Sequence, residues 1–228
     1  MPKTILFFAD RLPPLFGGVE MHARYFIEYF TDHSQFPLAG IVTKCGQNRD
    51  CLVTKKGLHP IQLEDLPQLF KPDFVFFNSG RWIEQLSCIK QMLPAAGFLY
   101  RTGGNEILKA PLEYQQISDH TLRQSYWVKT LNQTIDILIT NSAYTEERLH
   151  KLGIMCRFCR CVGGVNVSAL KTPDLPAFDP PVIFCAARFV PYKNHSLMLS
   201  VIRELVSRGH RFQVRLAGDG PLLKQAQE

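Results

Sequence analysis

"VIFCAARFVPYKNHSLMLSVIRELVSRGHRFQVRLAG" (182–218) decides the fold, because it reads as strand, helix, strand. VIFCAAR (182–188) and FQVRLAG (212–218) are short apolar runs of the kind buried on both faces of a sheet. Between them NHSLMLSVIRELVSRGH (194–210) has helical spacing, with Gly209 at its stop. A helical crossover of this length joins parallel strands. Two parallel strands do not close a core, which normally takes three or more elements. GDGP (218–221) then turns the chain and a helix starts near Leu222. The segment 182–228 is therefore expected to be the first βαβ unit of a second, incomplete domain.

Moving toward the N-terminus, KTPDLPAFDPP (171–181) has four prolines in eleven residues and reads as a linker. Residues 1–170 repeat the strand–helix alternation. TILFFA (4–9), LAGIVT (38–43), DFVFFN (73–78), AGFLYR (96–101) and IDILIT (135–140) read as strands, and 154–162 as extended. Helical patterns cover 19–30, 81–93, 112–134 and 143–153. Apolar strands separated by helices imply an α/β fold, a complete doubly wound parallel-sheet domain. Ligands of such sheets bind at the carboxyl ends of the strands.

The chain has 228 residues, 46% hydrophobic and 20% charged, which is long enough to bury a core without staples. Its net charge of +6 lies entirely in residues 150–228, which carry 11 Lys and Arg against 5 Asp and Glu. That local field favours an anionic partner. No stacking-aromatic nucleic-acid module is present, so nucleic acid is not the expected anion. No apolar run reaches the ~18 residues a membrane span needs. Residues 4–9 are too short for a signal-peptide core, and the seven Cys are odd in number and scattered. A cytoplasmic protein with reduced thiols is expected.

Two loops carry candidate chemistry. In LPPLFGGVEMH (12–22), Gly17 and Gly18 lack Cβ atoms and let backbone N–H groups approach a ligand at a helix N-terminus. The alternative is a tight turn that needs positive φ. In RFVPYKNH (188–195), Arg188 leaves a strand end and Lys193 precedes a helix that Asn194 or Ser196 caps. A diphosphate needs such a planar fork, point charge and set of free backbone donors. The alternative is two solvated cations. CRFCRC (156–161) offers three thiols, but zinc takes four ligands, and a fourth has to come from a distant residue such as Cys185 or His150. Strand and core cysteines are the preferred reading, and no metal site is expected. His22 is placed on the polar side of the first helix, in solvent.

Residues 185–228, with a strand ending in Arg, a short loop, Lys, a helix, a strand and GDGP, resemble the start of the donor-binding domain of GT-B glycosyltransferases of the family 4 type. FGGVEMHARYF (16–26), KPDFVFFNSG (71–80), ITNSAYTEERLHKLGI (139–154) and GGVNVSAL (163–170) are similar to successive segments of that family's N-terminal domain. The resemblance implies a GT-B-like pair of Rossmann-like domains. It implies hexosyl transfer from a nucleotide-diphosphate sugar to a glycan or lipid-linked acceptor, with retention, without a metal cofactor, in polysaccharide assembly. The donor is expected in the cleft between the domains. Gly17 and Gly18 approach the diphosphate from one side, and Arg188 and Lys193 neutralise it from the other.

Family members often carry a His in the loop after the strand that is AGFLYR here. This chain has RTGGNE (101–106) instead, so Gly103, Gly104 and Asn105 are assigned to the acceptor side and no catalytic residue is assigned. The family's paired-glutamate motif lies beyond GDGP, so the chain is expected to be a fragment with poor catalysis of its own. Peripheral contact at the inner face of a membrane fits a lipid-linked acceptor. The alternatives are an inactive acceptor- or nucleotide-binding module, and a GT-B sugar-nucleotide epimerase. The Arg188 and Lys193 placement and the GGVE loop favour the transferase.

Overall fold

ILFFA (Ile5–Ala9, β1) is buried along its whole length because it lies inside a sheet covered on both faces. The computed structural model describes residues 1–14, 17–78, 80–102, 126–164, 167 and 178–227, with Arg81 described by its backbone. The chain divides into two units, Met1–Val165 and Asn166–Glu228.

Unit 1 contains β1, α1 (Gly18–Phe30), β2 (Leu38–Cys45), β3 (Arg49–Thr54), β4 (Gly57–Pro60), α2 (Leu66–Leu69) and β5 (Phe74–Phe77). A 3₁₀ segment (Gly80–Gln85), α3 (Leu86–Met92), β6 (Gly97–Arg101), α4 (Tyr126–Thr134), β7 (Ile137–Thr140), α5 (Ala143–Lys151) and β8 (Arg157–Arg160) follow. The eight strands order as β4-β3-β2-β1-β5-β6-β7-β8. From β2 to β8 every adjacent pair is parallel.

The period-2 alternation of β1 sorts the core into two layers. Leu6 and Phe8 face Val75, Phe77, Trp82, Leu86 and Phe98. Ile5, Phe7 and Ala9 face the other way, where Ala23, Phe26 and Phe30 of α1 cover them. Phe7 stacks on Phe26 with ring centroids 4.4 Å apart. Each such fully buried side chain contributes about 1.5–3 kcal/mol. Phe7→Ala is therefore a change unit 1 tolerates badly, at about 3–5 kcal/mol.

Two expectations change here. Residues 49–60 form an antiparallel extension, with β3 on β2 and β4 on β3, so the sheet is parallel only in part. The cause is local: Asn48 takes φ 63 and Arg49 N donates to Gly46 O, a reversal too tight for a crossover. The same hairpin joins Cys45 to Cys51 in a disulfide, so these two thiols are not reduced. Register explains it: Thr43 faces Cys51 and Cys45 faces Arg49, which sets the two cysteines diagonally across the pair, Cα atoms 6.2 Å apart.

Unit 2 has β9 (Val182–Ala186) parallel to β10 (Gln213–Ala217), with α6 (His195–Ser207) between them in sequence and α7 (Leu223–Gln227) after. Each element is slightly shorter than its sequence pattern. Among its described residues only Phe189 and His195 are buried, while Phe184, Leu197, Val201 and Val206 are exposed. The apolar surface of this βαβ unit is thus open to solvent, as its two-stranded sheet dictates. The expected linker, 171–181, falls mostly outside the described residues, as does the helical pattern before Tyr126.

Candidate functional site

In unit 2 the two strands continue to hold each other beyond their ends. Ala187 N donates to Ala217 O (2.9 Å), Phe189 N to Asp219 O (2.9 Å) and Leu222 N to Phe189 O (3.1 Å). GDGP makes this possible. Gly218 and Gly220 have φ 152 and 151, and a Cβ on either would overlap the carbonyl oxygen of Ala187 or Phe189. Phe189 is buried beneath this zipper, stacked on His195 with centroids 4.1 Å apart. Arg188, between the two clamped residues, is thereby fixed at the carboxyl end of β9.

Five residues on, Lys193 ends a 3₁₀ turn (Pro191–Lys193). Asn194, at φ 50, then turns the chain into α6 and caps it, its Oδ1 accepting from Leu197 N at 3.3 Å. Asn194 is thus the cap, and Ser196 instead donates its hydroxyl to the Asn194 side chain at 3.0 Å. Arg188 donates to the Tyr192 hydroxyl, and Lys193 Nζ lies 5.7 Å from the centre of the Tyr192 ring. Among the described residues no carboxylate pairs with Arg188 or Lys193. Two cations, the amino end of a 13-residue helix and its first N–H groups share one strand end. That arrangement attracts an oxyanion.

In unit 1 Gly17 is the residue before α1, in extended backbone (φ 169), and Gly18 starts the helix. Neither has the positive φ of a tight turn. A Cβ on Gly18 would meet nothing within 4 Å, while one on Gly17 would overlap the Glu20 carboxylate. Gly18 is thus not required by packing. Gly103, Gly104 and Asn105 lie outside the described residues.

Sequence reasoning missed the polar groups beside this loop. Asn78, fully buried, directly follows β5 and ties three elements together. Its backbone N donates to Phe8 O (2.9 Å), its Nδ2 to Val19 O (3.0 Å), and its Oδ1 accepts from Arg101 Nη1 (3.5 Å). The signal was the polar residue closing FVFFN. His22 is not in solvent: the second turn of α1 lays its ring over Phe76 and Phe26. Burial, then the Arg101 charge, push its pKa from 6.5 to about 4, opposed by a hydrogen bond to Asn78. The buried atoms His22 Nδ1, Thr43 Oγ1, Trp82 Nε1 and Thr140 Oγ1 have no partner among the described residues. Thr43 and Thr140 lie toward the carboxyl ends of their strands, and Trp82 lies just past that of β5, the end where ligands of parallel sheets bind.

A cavity of about 630 Å³ opens elsewhere, at the amino ends of β1, β5 and β6 beside Lys3, Asp73 and Gly97. Its carboxylate is already engaged, since Asp73 accepts from Thr4 N at 2.8 Å. We place no function there. In CRFCRC, Cys159 and Cys161 are exposed rather than in the core, and burial pushes the Cys156 thiol up to about 11. No group of three or more His, Cys, Asp or Glu side chains among the described residues is set to hold a metal ion. No helix among them is long and apolar enough to cross a membrane.

No protein-family model matches the chain. Over 52 residues it is 46% identical to a Bacillus subtilis (strain 168) protein named "Putative glycosyltransferase EpsF", a match covering 23% of this chain and 14% of EpsF. The structure is similar to crystal structures of Anabaena HepE. The complex with UDP and glucose superposes with a TM-score of 0.63 at 16% identity, over 97% of this chain and 62% of HepE. The complex with UDP gives 0.58 at 12% identity, over 97% and 71%. The chain thus spans 62% of the first of these neighbours. At such identities the likeness is one of fold, and the fold is the GT-B-like α/β architecture.

Proposed function

We propose that this chain belongs to a glycosyltransferase of the family 4 type. It transfers a hexose from a nucleoside-diphosphate sugar to a glycan or lipid-linked acceptor, with retention and without a metal. Two comparisons support the reading: the EpsF match, and a neighbour in fold whose crystals hold UDP and glucose. The observation that carries it is the pair Arg188 and Lys193, without carboxylate partners among the described residues, at the amino end of α6.

The chemistry follows from charge. As the bond from the anomeric carbon to the diphosphate oxygen breaks, negative charge builds on the leaving group. The anomeric carbon bonds to the acceptor oxygen, which gives up its proton, and the diphosphate departs with one more negative charge than it has in the intact donor. Cations and helix N–H groups bind that more highly charged state more tightly, which lowers the barrier. Gly17 and Gly18 in this reading offer backbone N–H groups to a phosphate, and Gly103, Gly104 and Asn105 serve the acceptor.

Titration with UDP tests the reading on the chain itself. Saturable binding that Arg188→Ala and Lys193→Ala each weaken at least tenfold supports it, and chelator should leave that binding unchanged. UDP affinity indifferent to both substitutions removes the diphosphate assignment. A module that binds without turnover is the second reading. It predicts UDP binding with no transfer or donor hydrolysis.

A further inference from the structure

We propose that Tyr192 is the positioning residue of the diphosphate site, holding the Arg188 guanidinium at its hydroxyl and the Lys193 ammonium over its ring. The inference rests on the diphosphate reading above and adds a residue to it. Tyr192 sits in the middle of the 3₁₀ turn, whose backbone is closed by Lys193 N donating to Val190 O and Asn194 N to Pro191 O, each at 3.0 Å. Pro191 fixes φ at the start of that turn. The ring is partly buried, whereas Arg188 and Lys193 are exposed.

Long exposed cationic side chains lose rotamer freedom when a ligand fixes them, and that loss subtracts from affinity. A phenol reduces it for both at once. Its oxygen accepts from Arg188, and its face lies below Lys193 Nζ at 5.7 Å, within cation–π range. It also carries no charge. A carboxylate in its place would hold the two cations equally well but cancel the field that draws the diphosphate. Tyr192 orders both charges and leaves them available.

The test is a double-mutant cycle read by calorimetric titration with UDP, repeated with inorganic pyrophosphate. Tyr192→Phe keeps the ring under Lys193 and deletes the acceptor for Arg188. Tyr192→Leu deletes both. Affinity for each probe is expected to fall roughly tenfold in Tyr192→Phe and further in Tyr192→Leu. In an Arg188→Ala background the Phe substitution should have no further effect. A loss of the same size in that background means that Tyr192 acts through the fold, and overturns the inference. Equal binding by wild type and Tyr192→Phe also overturns it and leaves the proposed function standing. A wild-type chain that binds neither probe removes both.

Discussion

Gly218 packs so closely on the carbonyl of Ala187 that a β-carbon there would overlap the oxygen. The neighbouring contact of Gly220 with Phe189 O has the same character. Together they lock the loop that carries Arg188. Gly218→Ala or Gly220→Ala therefore forces backbone, not a mobile side chain, to move, and adds a strained φ, each at about 1–3 kcal/mol. Amide hydrogen exchange should show lost protection at Ala187 and Phe189, whose N–H groups bond across this zipper. Retained protection at both would mean the loop closes without the glycines.

Gly18→Ala is the contrasting case. Its β-carbon would enter open space, so the melting temperature should not fall. If Gly18 lies against the diphosphate, UDP affinity should drop about tenfold, or ~1.4 kcal/mol. Unchanged affinity takes Gly18 out of the site.

His22 gives unit 1 a pH dependence. Its pKa is about 4 in the fold and 6.5 without it, so between these values the unfolded chain binds more protons. The stability contributed by the neutral ring is full above pH 6.5 and is lost as pH falls toward 4. The unscreened value is about 3 kcal/mol, and partial exposure of the ring lowers it to about 1–2 kcal/mol. His22→Phe preserves an aromatic ring against Phe26 and Phe76 but does not titrate. Urea unfolding at pH 7 and 4.5 should show a smaller pH loss in the variant. Equal losses would mean that His22 is protonated in the fold.

Asn78→Ala removes the side-chain donor to Val19 O of α1 and the acceptor for Arg101 of β6, while the backbone bond to Phe8 O stays. The expected cost is about 1–3 kcal/mol by denaturant unfolding, with Asn78→Asp no better, because Asp has no N–H to give to Val19 O. A neutral result would show that the Asn78 contacts are dispensable to unit 1.

Thiol reactivity separates the cysteines. Cys88, Cys159 and Cys161 are exposed, whereas Cys156 is held protonated by burial well above pH 8. Alkylation at pH 8 followed by peptide mass analysis should modify the first three early and Cys156 last. Early modification of Cys156 would contradict its burial.

Much of this was legible because parallel strands are written as unbroken apolar runs. ILFFA, FVFF and VIFCA could be read without partners. The β3–β4 hairpin was not, because RDCLVT and GLHP have neither a long apolar run nor clean alternation, and their pairing depends on β2 already being there. Arg188 and Lys193 showed themselves as charges at a strand end. Asn78 and His22 did not, since sequence cannot say that the second turn of α1 lies over the end of β5. GDGP was read as a turn marker, and only the structure shows that its glycines hold the neighbouring loop.

The strand order of unit 1 has a consequence for how the molecule is made. Starting from β1, each later strand docks on an edge already present: β2, β3 and β4 outward on one side, then β5, β6, β7 and β8 outward on the other. None has to be inserted between two strands that are already paired. A chain released from the ribosome N-terminus first can therefore extend this sheet as it emerges, adding strands without dismantling earlier ones.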